Sequence, residues 1–277
     1  VISKYLPKYG IDFSYVGASA TAAEWEAAIT PQTKMIYLET PTNPGLDVVD
    51  ISMVSAIAKK HNIILNVDNC FATPIGQTPI DLGADLVVHS ATKWIDGQGR
   101  VLGGAIVGRK DLIHDIYLFC RSTGPSLSPF NAWVLSKSLE TLEVRMDRHS
   151  SNALYLAEKL QGHAKINFVK YPFLSSHASY AVAKKQMKNG GGIVCFELKG
   201  GIESGRTFLN NIKMLSLTAN LGDTRSIASH PASTTHAKLS EAERQAVSIT
   251  PGLIRISVGL EHKDDILADI LQALEAS

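Results

Sequence analysis

Three consecutive stretches decide the fold: Met35-Ile36-Tyr37-Leu38-Glu39, then Asp50-Ile-Ser-Met-Val-Ser-Ala-Ile-Ala-Lys-Lys-His61, then Ile63-Ile64-Leu65-Asn66-Val67-Asp68. The outer two are short apolar runs, each ending on a carboxylate, and they read as strands buried on both faces. In the middle stretch Ile51, Val54, Ile57 and Ala58 recur at helical spacing. Asp50 stands where an N-cap belongs, and Lys59 and Lys60 lie in the last turn, where the helix dipole favours cations. Strand, helix, strand within ~30 residues is a βαβ unit, which requires a parallel sheet. Residues 84–89 and 103–107 extend the pattern with two further strands.

Beyond residue 130 the character changes. Ser128-Pro129 opens a helix expected to run to about Met146, and a second is expected from Ser150 to Leu160. Strands are expected at Ile193–Leu198, Met214–Leu217 and Leu253–Val258. Helices are expected around 202–211, 240–247 and 264–275, with Ser240 and Glu243 at capping-box spacing. The reading is an α/β fold: a mostly parallel sheet with helices on both faces over residues 1–145, and a smaller α+β domain over 146–277.

The 277 residues carry a formal net charge of +1. That balance argues against a nucleic-acid partner, which would need a basic excess to neutralise phosphates. No apolar run approaches the ~20 residues that span a bilayer. Cys70, Cys120 and Cys195 are far apart and form no CxxC pair, so neither a disulfide framework nor a thiolate metal site is expected, and the cytoplasm is the expected compartment. The chain opens on Val1-Ile2-Ser3 with no signal pattern, as though it began inside a fold.

In open parallel sheets, ligands bind beyond the carboxyl ends of the strands. Three strands end here in polar, turn-rich peptides: Glu39-Thr40-Pro41-Thr42-Asn43-Pro44, Asp68-Asn69-Cys70-Phe71-Ala72-Thr73-Pro74 and His89-Ser90-Ala91-Thr92-Lys93. One sheet edge would thus gather an amide, a carboxylate, two hydroxyls and an amine, a set that fits pyridoxal 5'-phosphate. Lys93 can supply the amine for a Schiff base, and Asp68 the carboxylate that keeps the pyridine nitrogen protonated. Ser90 and Thr92 can hold phosphate oxygens, and Asn43 can donate to the ring oxygen. Taken singly, each has a plainer reading: Lys93 as a solvated surface charge, Asp68 as a cap or turn residue, Ser90 and Thr92 as turn hydroxyls.

The same peptides resemble the Cys/Met-metabolism pyridoxal-phosphate family. The likeness continues in Gly97-Gln-Gly-Arg-Val-Leu-Gly-Gly104, Met146-Asp-Arg-His-Ser150, His230-Pro-Ala-Ser-Thr-Thr-His236 and Leu253-Ile-Arg-Ile-Ser-Val-Gly-Leu-Glu261. It covers nearly the whole chain. The resemblance implies that Lys93 holds the cofactor and shuttles protons. It implies Asp68 at the pyridine nitrogen, Ser90 and Thr92 at the phosphate, Asn43 at the ring oxygen, and Arg255 clamping the substrate carboxylate. A bidentate guanidinium suits that last task.

Within the family, Arg121 to Trp133, Gly97 to Arg100 and Thr218 to Arg225 are similar to the O-succinylhomoserine sulfhydrylases. Asn220 stands where the lyases usually carry Ser, near the lysine and the substrate carboxylate, and Arg121 is a candidate reader of a succinyl group. The implied reaction replaces the γ-substituent of an O-acylhomoserine by sulfide, giving homocysteine, in a homotetramer of dimers that share active sites. The alternatives are cystathionine γ-synthase, a cystathionine or methionine γ-lyase, and a non-catalytic fragment that keeps only subunit association. A nucleotide-binding protein is a distant third, because neither GxGxxG nor GxxxxGK[ST] follows any expected strand. Family members also carry a preceding segment of roughly a hundred residues with a phosphate loop and aromatic ring cover, which is not found before Val1.

Overall fold

The computed structural model describes residues 1–234, 240, 244 and 249–277. The helix expected over 240–247 lies outside the described residues apart from Ser240 and Arg244, and so does Glu243 of its capping box.

The first half is built from α1 (Ala22–Ala27), β1 (Met35–Glu39), α2 (Ile51–Lys60), β2 (Ile64–Asp68), α3 (Thr73–Gly76), β3 (Leu86–Ser90) and β4 (Gly104–Gly108). The strands form one sheet in the order β1-β2-β3-β4. The first three are parallel, and β4 runs antiparallel along β3. The Asp50 carboxylate caps α2 by accepting the Met53 N–H at 3.0 Å. α2 then buries Ile51, Val54, Ile57 and Ala58 against Ile36, Leu38, Leu65, Val67 and Val87 of the sheet, the face the helical spacing predicts.

Three helices follow: α4 (Lys110–Thr123), α5 (Pro129–Leu139) and α6 (Leu142–Leu160). The expected break near residues 147–149 lies instead at Glu140-Thr141. There Ser138 Oγ donates to the Val134 carbonyl at 2.7 Å, and Arg145 Nη2 takes the Ser138 carbonyl at 2.9 Å. These bonds draw the backbone oxygens of the last turn away from the helical ladder.

The second half contains β5 (Ile166–Lys170), α7 (Tyr180–Gln186), β6 (Ile193–Leu198), α8 (Gly201–Asn211), β7 (Ser216–Leu217), β8 (Ile227–Ser229), β9 (Leu253–Ser257) and α9 (Lys263–Ala276). Its sheet runs β5-β6-β9-β8-β7 and is antiparallel except between β7 and β8. Residues of α6, α8 and α9 pack with Val194, Phe196, Ile254 and Ile256 in one core. A separate core, containing Leu46, Phe71, Trp94, Leu135, Met146, Ile193, Cys195 and Leu253, joins the two sheets. By contrast, α4 buries no residue, and Ile106, Val107, Tyr117, Phe119, Phe130 and Trp133 are exposed apolar side chains of β4, α4 and α5.

Candidate active site

Parallel register sets Glu39 beside Asp68 and Asp68 beside Val88, so the three strand-end peptides meet at one edge of the first sheet. The Asp68 carboxylate is oriented by two donors. Tyr37 Oη reaches Oδ2 at 3.1 Å, and the Cys70 backbone N–H reaches Oδ1 at 3.0 Å. After β3 the chain turns tightly: the Lys93 N–H donates to the Ser90 carbonyl at 3.2 Å, and the Gly97 N–H to the Lys93 carbonyl at 2.8 Å. The turn is tied to β4 through Thr92, whose Oγ1 accepts the Gly103 N–H at 3.1 Å.

Lys93 Nζ donates to Asn220 Oδ1 at 2.5 Å. Asn220 arrives from the loop after β7, and Gly222 two residues on lets that loop close. Gly222 has φ +79°, and a Cβ there would stand 2.7 Å from the Trp94 nitrogen and 2.8 Å from the Lys93 carbonyl carbon. Only glycine suits both the backbone conformation and the space.

Arg255 projects from β9 and is 1% exposed. Its Nη1 donates to Asn43 Oδ1 at 2.9 Å, and its Nη2 to the carbonyls of Ala219 and Asn220 at 3.1 and 3.2 Å. All these partners are neutral, and its buried Nε has none among the described residues. A guanidinium desolvated without a carboxylate is costly in a closed core and is the expected state of a site that awaits an anion. Lys93, Asn220, Arg255 and Asn43 thus form one connected chain linking the two sheets.

Burial pushes the Lys93 amine below the ordinary lysine range, with Cys70 opposing and Arg255 reinforcing the shift. Burial and then Asp68 push the Glu39 carboxyl up to about 8. Burial and the same carboxylate push the Cys70 thiol up to about 12 and raise Tyr37 as well. His89, with a buried Nδ1 that has no partner among the described residues, is held below the usual histidine range by burial.

Of the residues singled out in the sequence, Asn43, Lys93, Asn220 and Arg255 are joined directly. Asp68 lies at the same sheet edge with Tyr37 and Cys70. Ser90 ends β3 with its hydroxyl free of protein partners among the described residues, while the Thr92 hydroxyl is engaged with Gly103. Arg121 is exposed in the last turn of α4 and makes no contact with this cluster. Tyr37, Glu39, Cys70 and His89 lay inside the quoted peptides without being given roles. The signal for Tyr37 and Glu39 was available, since alternate residues of a strand share a face and parallel pairing sets Glu39 beside Asp68.

The donor set fits pyridoxal phosphate. It offers a buried amine below its ordinary pKa range, an oriented carboxylate and a free Ser90 hydroxyl. Both asparagines turn their oxygens to cations, which leaves their N–H₂ groups as donors. Among the described residues no cluster suited to a metal ion is present, and no helix is long and apolar enough to cross a membrane.

A family model described as Cys/Met metabolism PLP-dependent enzyme matches residues 1–275. O-succinylhomoserine sulfhydrylase of Pseudomonas aeruginosa is 45% identical over 276 residues, covering 100% of this chain and 68% of that protein. L-methionine gamma-lyase of Fusobacterium nucleatum subsp. nucleatum is 45% identical over 273 residues, covering 98% and 69%. The crystal structure of cystathionine gamma-lyase from Lactobacillus plantarum complexed with L-serine superposes with a TM-score of 0.95 at 36% identity, covering 99% of this chain and 72% of that one.

Proposed function

The chain belongs to the Cys/Met-metabolism enzymes that use pyridoxal phosphate, and on that premise we propose that it replaces the γ-acyloxy group of O-succinylhomoserine by sulfide. The products are homocysteine and succinate, placing the reaction in methionine biosynthesis. The observation that carries this reading is the contact between Lys93 Nζ and the Asn220 amide, because the lyases usually carry Ser there. The 45% identity to an O-succinylhomoserine sulfhydrylase supports it.

The cofactor supplies an electron sink for negative charge at the substrate's α-carbon. Asp68, held by Tyr37 and Cys70, would keep the pyridine nitrogen of a bound cofactor protonated. Asn43 would offer its free N–H to the ring oxygen, and Ser90, with Thr92 once its hydroxyl turns from the Gly103 carbonyl, would donate to phosphate oxygens. Arg255 grips the α-carboxylate. Lys93, whose neutral form is favoured by burial, takes the proton from Cα and moves one from Cβ. Asn220 steers its amine between these positions. The Cγ–O bond then breaks, succinate leaves, hydrosulfide forms the Cγ–S bond, and Lys93 returns protons to Cβ and Cα to give homocysteine. Arg121, an exposed cation outside this cluster, is the proposed reader of the distal succinyl carboxylate.

The test is an assay with O-succinyl- and O-acetylhomoserine, each with sulfide or cysteine. Homocysteine from the succinyl ester and sulfide is expected. Cystathionine as the main product would make the enzyme a cystathionine γ-synthase. Release of 2-oxobutyrate from methionine would favour the second reading, a γ-lyase, for which the 45% identity to L-methionine gamma-lyase speaks. A chain that gains no visible absorbance with added cofactor would be a non-catalytic fragment. Self-association, with four copies as the expected assembly, belongs to the same reading, which the exposed apolar side chains of β4, α4 and α5 support. Sedimentation showing only a monomer would remove it. Three free cysteines support a cytoplasmic location.

A further inference from the structure

The Gly97-Gln98-Gly99-Arg100 peptide follows the Lys93 turn and takes no part in the mechanism above, and neither does Arg145 of α6. Gly97 is bonded on both sides. Its N–H donates to the Lys93 carbonyl at 2.8 Å, and its carbonyl accepts the Thr224 N–H at 2.8 Å. Thr224 follows Asn220 on the same loop, so one residue joins the backbone of the lysine to the loop that brings its amide partner. Gly97 has φ +74°, and a Cβ there would collide with Nη1 of Arg145 and stand 2.8 Å from its Cζ. Glycine at this position therefore leaves room for the guanidinium.

Arg145 is buried, and its donors face the turn and the join between α5 and α6. Nη1 donates to the Trp94 carbonyl at 2.6 Å, and Nη2 to the carbonyls of Ile95 and Ser138 at 3.2 and 2.9 Å. Nε donates to Thr141 Oγ1 at 3.2 Å. None of these acceptors is a carboxylate. Asp96 is paired with Arg100 instead, at 2.9 Å, and Arg100 also reaches the Ser138 hydroxyl at 2.6 Å. Trp94 and Ile95 directly follow Lys93, and among the described residues no backbone N–H takes their carbonyls. The guanidinium therefore does what the next turn of a helix would have done.

We propose that Arg145 is a positioning residue: it clamps the two carbonyls after Lys93 and so keeps Lys93 Nζ in register with the Asn220 amide. This rests on Lys93 being the cofactor lysine, and not on which thiol the enzyme uses. Arg145 bonds neither the Lys93 amine nor Asn220. It acts through the backbone: with Trp94 and Ile95 held, Gly97 is held, and Gly97 carries Thr224 and the loop of Asn220. A planar fork that takes three carbonyls at once fixes orientation, which an ammonium on a flexible stem does not. A misplacement of about 1 Å can cost about a hundredfold in rate.

The test is hydrogen–deuterium exchange on the cofactor-loaded enzyme, with steady-state kinetics on the same samples. Arg145→Met should speed exchange about tenfold in residues 94–99 and 219–226 and leave the amides of α2 unchanged. Faster exchange confined to residues 138–146 would mean that Arg145 only braces the helix join; that result, or an equal rise in α2, overturns the proposal. The kcat for homocysteine formation should fall about tenfold to a hundredfold, with KM for the acyl ester within about twofold. A raised KM at unchanged kcat overturns it as well. The double variant with Asn220→Ala should be no slower than the slower single variant, because both act on one contact; a loss equal to the product of the two excludes that route. Arg145→Lys decides the matter if Arg145→Met does not fold: it should speed the same two segments at least about threefold, and wild-type exchange there overturns the proposal. A visible cofactor band retained in Lys93→Ala would instead remove the role of the lysine, and the proposal with it.

Discussion

Lys93 sits at 2.5 Å from an amide oxygen supplied by a loop 127 residues further along the chain. Its identity as the cofactor lysine is a proposal with a direct test: Lys93→Ala should abolish homocysteine formation and the visible cofactor band, and a variant with substantial turnover would refute it. Arg255→Lys should raise KM for the acyl ester about tenfold to a hundredfold. Lysine keeps the charge but loses the planar fork, and charge-assisted bonds contribute about 1.5–3 kcal/mol; an unchanged KM would show that the clamp lies elsewhere. Arg121→Ala should raise KM for the succinyl ester more than for the acetyl ester, and equal effects would remove Arg121 from the site. The amine and carboxylate were legible as residue types at strand ends. The union of Asn43 with Arg255 was not, because no periodicity relates residues 212 apart. Glu39 was in plain view, yet its setting depends on Asp68 being its neighbour across the sheet.

Among the elements, those with strong local signals were read best. The capped, amphipathic α2 and the apolar strands β1 to β3 appear within a residue or two of their expected bounds. β5 was missed: it is an edge strand with a bulge and only one buried residue, so it has little hydrophobic pattern. α4 was missed too, although its 14 residues carry an amphipathic pattern; they bury nothing in the described fold. The break between α5 and α6 has neither Pro nor Gly to announce it and arises from side chains taking backbone carbonyls. Asp50→Ala should cost about 1 kcal/mol through loss of the α2 cap, read as a lower urea midpoint. Gly222→Ala should destabilise by at least ~1–3 kcal/mol, from its left-handed backbone and its collision with the Lys93 turn. It should also weaken the cofactor band, and an unchanged melting temperature would show that the loop relaxes freely.

Across the whole molecule, two sheets of different topology meet through a shared core and through α6. We propose that the division between the two units falls along this helix. One of its residues, His149, is fully buried against Trp94, with Nδ1 2.7 Å from the Val258 carbonyl and Nε2 unpartnered among the described residues. Burial lowers its pKa from the usual 6.5 to about 4. Between these values the unfolded chain binds more protons, so this contribution is whole above pH 6.5 and is lost as pH falls toward 4. It amounts to up to about 3 kcal/mol. Urea midpoints should therefore drop more between pH 7 and 4.5 for the wild type than for His149→Gln, and equal drops would exclude His149 as the cause. The chain of contacts from Lys93 through Asn220 and Arg255 to Asn43 crosses from one sheet to the other twice. In a hybrid gene joined anywhere between residues 109 and 192, Lys93 and Asn43 would come from one parent, and Asn220 and Arg255 from the other. Recombination with a relative that differs at position 220 would then separate the amine from the amide that steers it, so reaction preference should be inherited with the pair and not with either half.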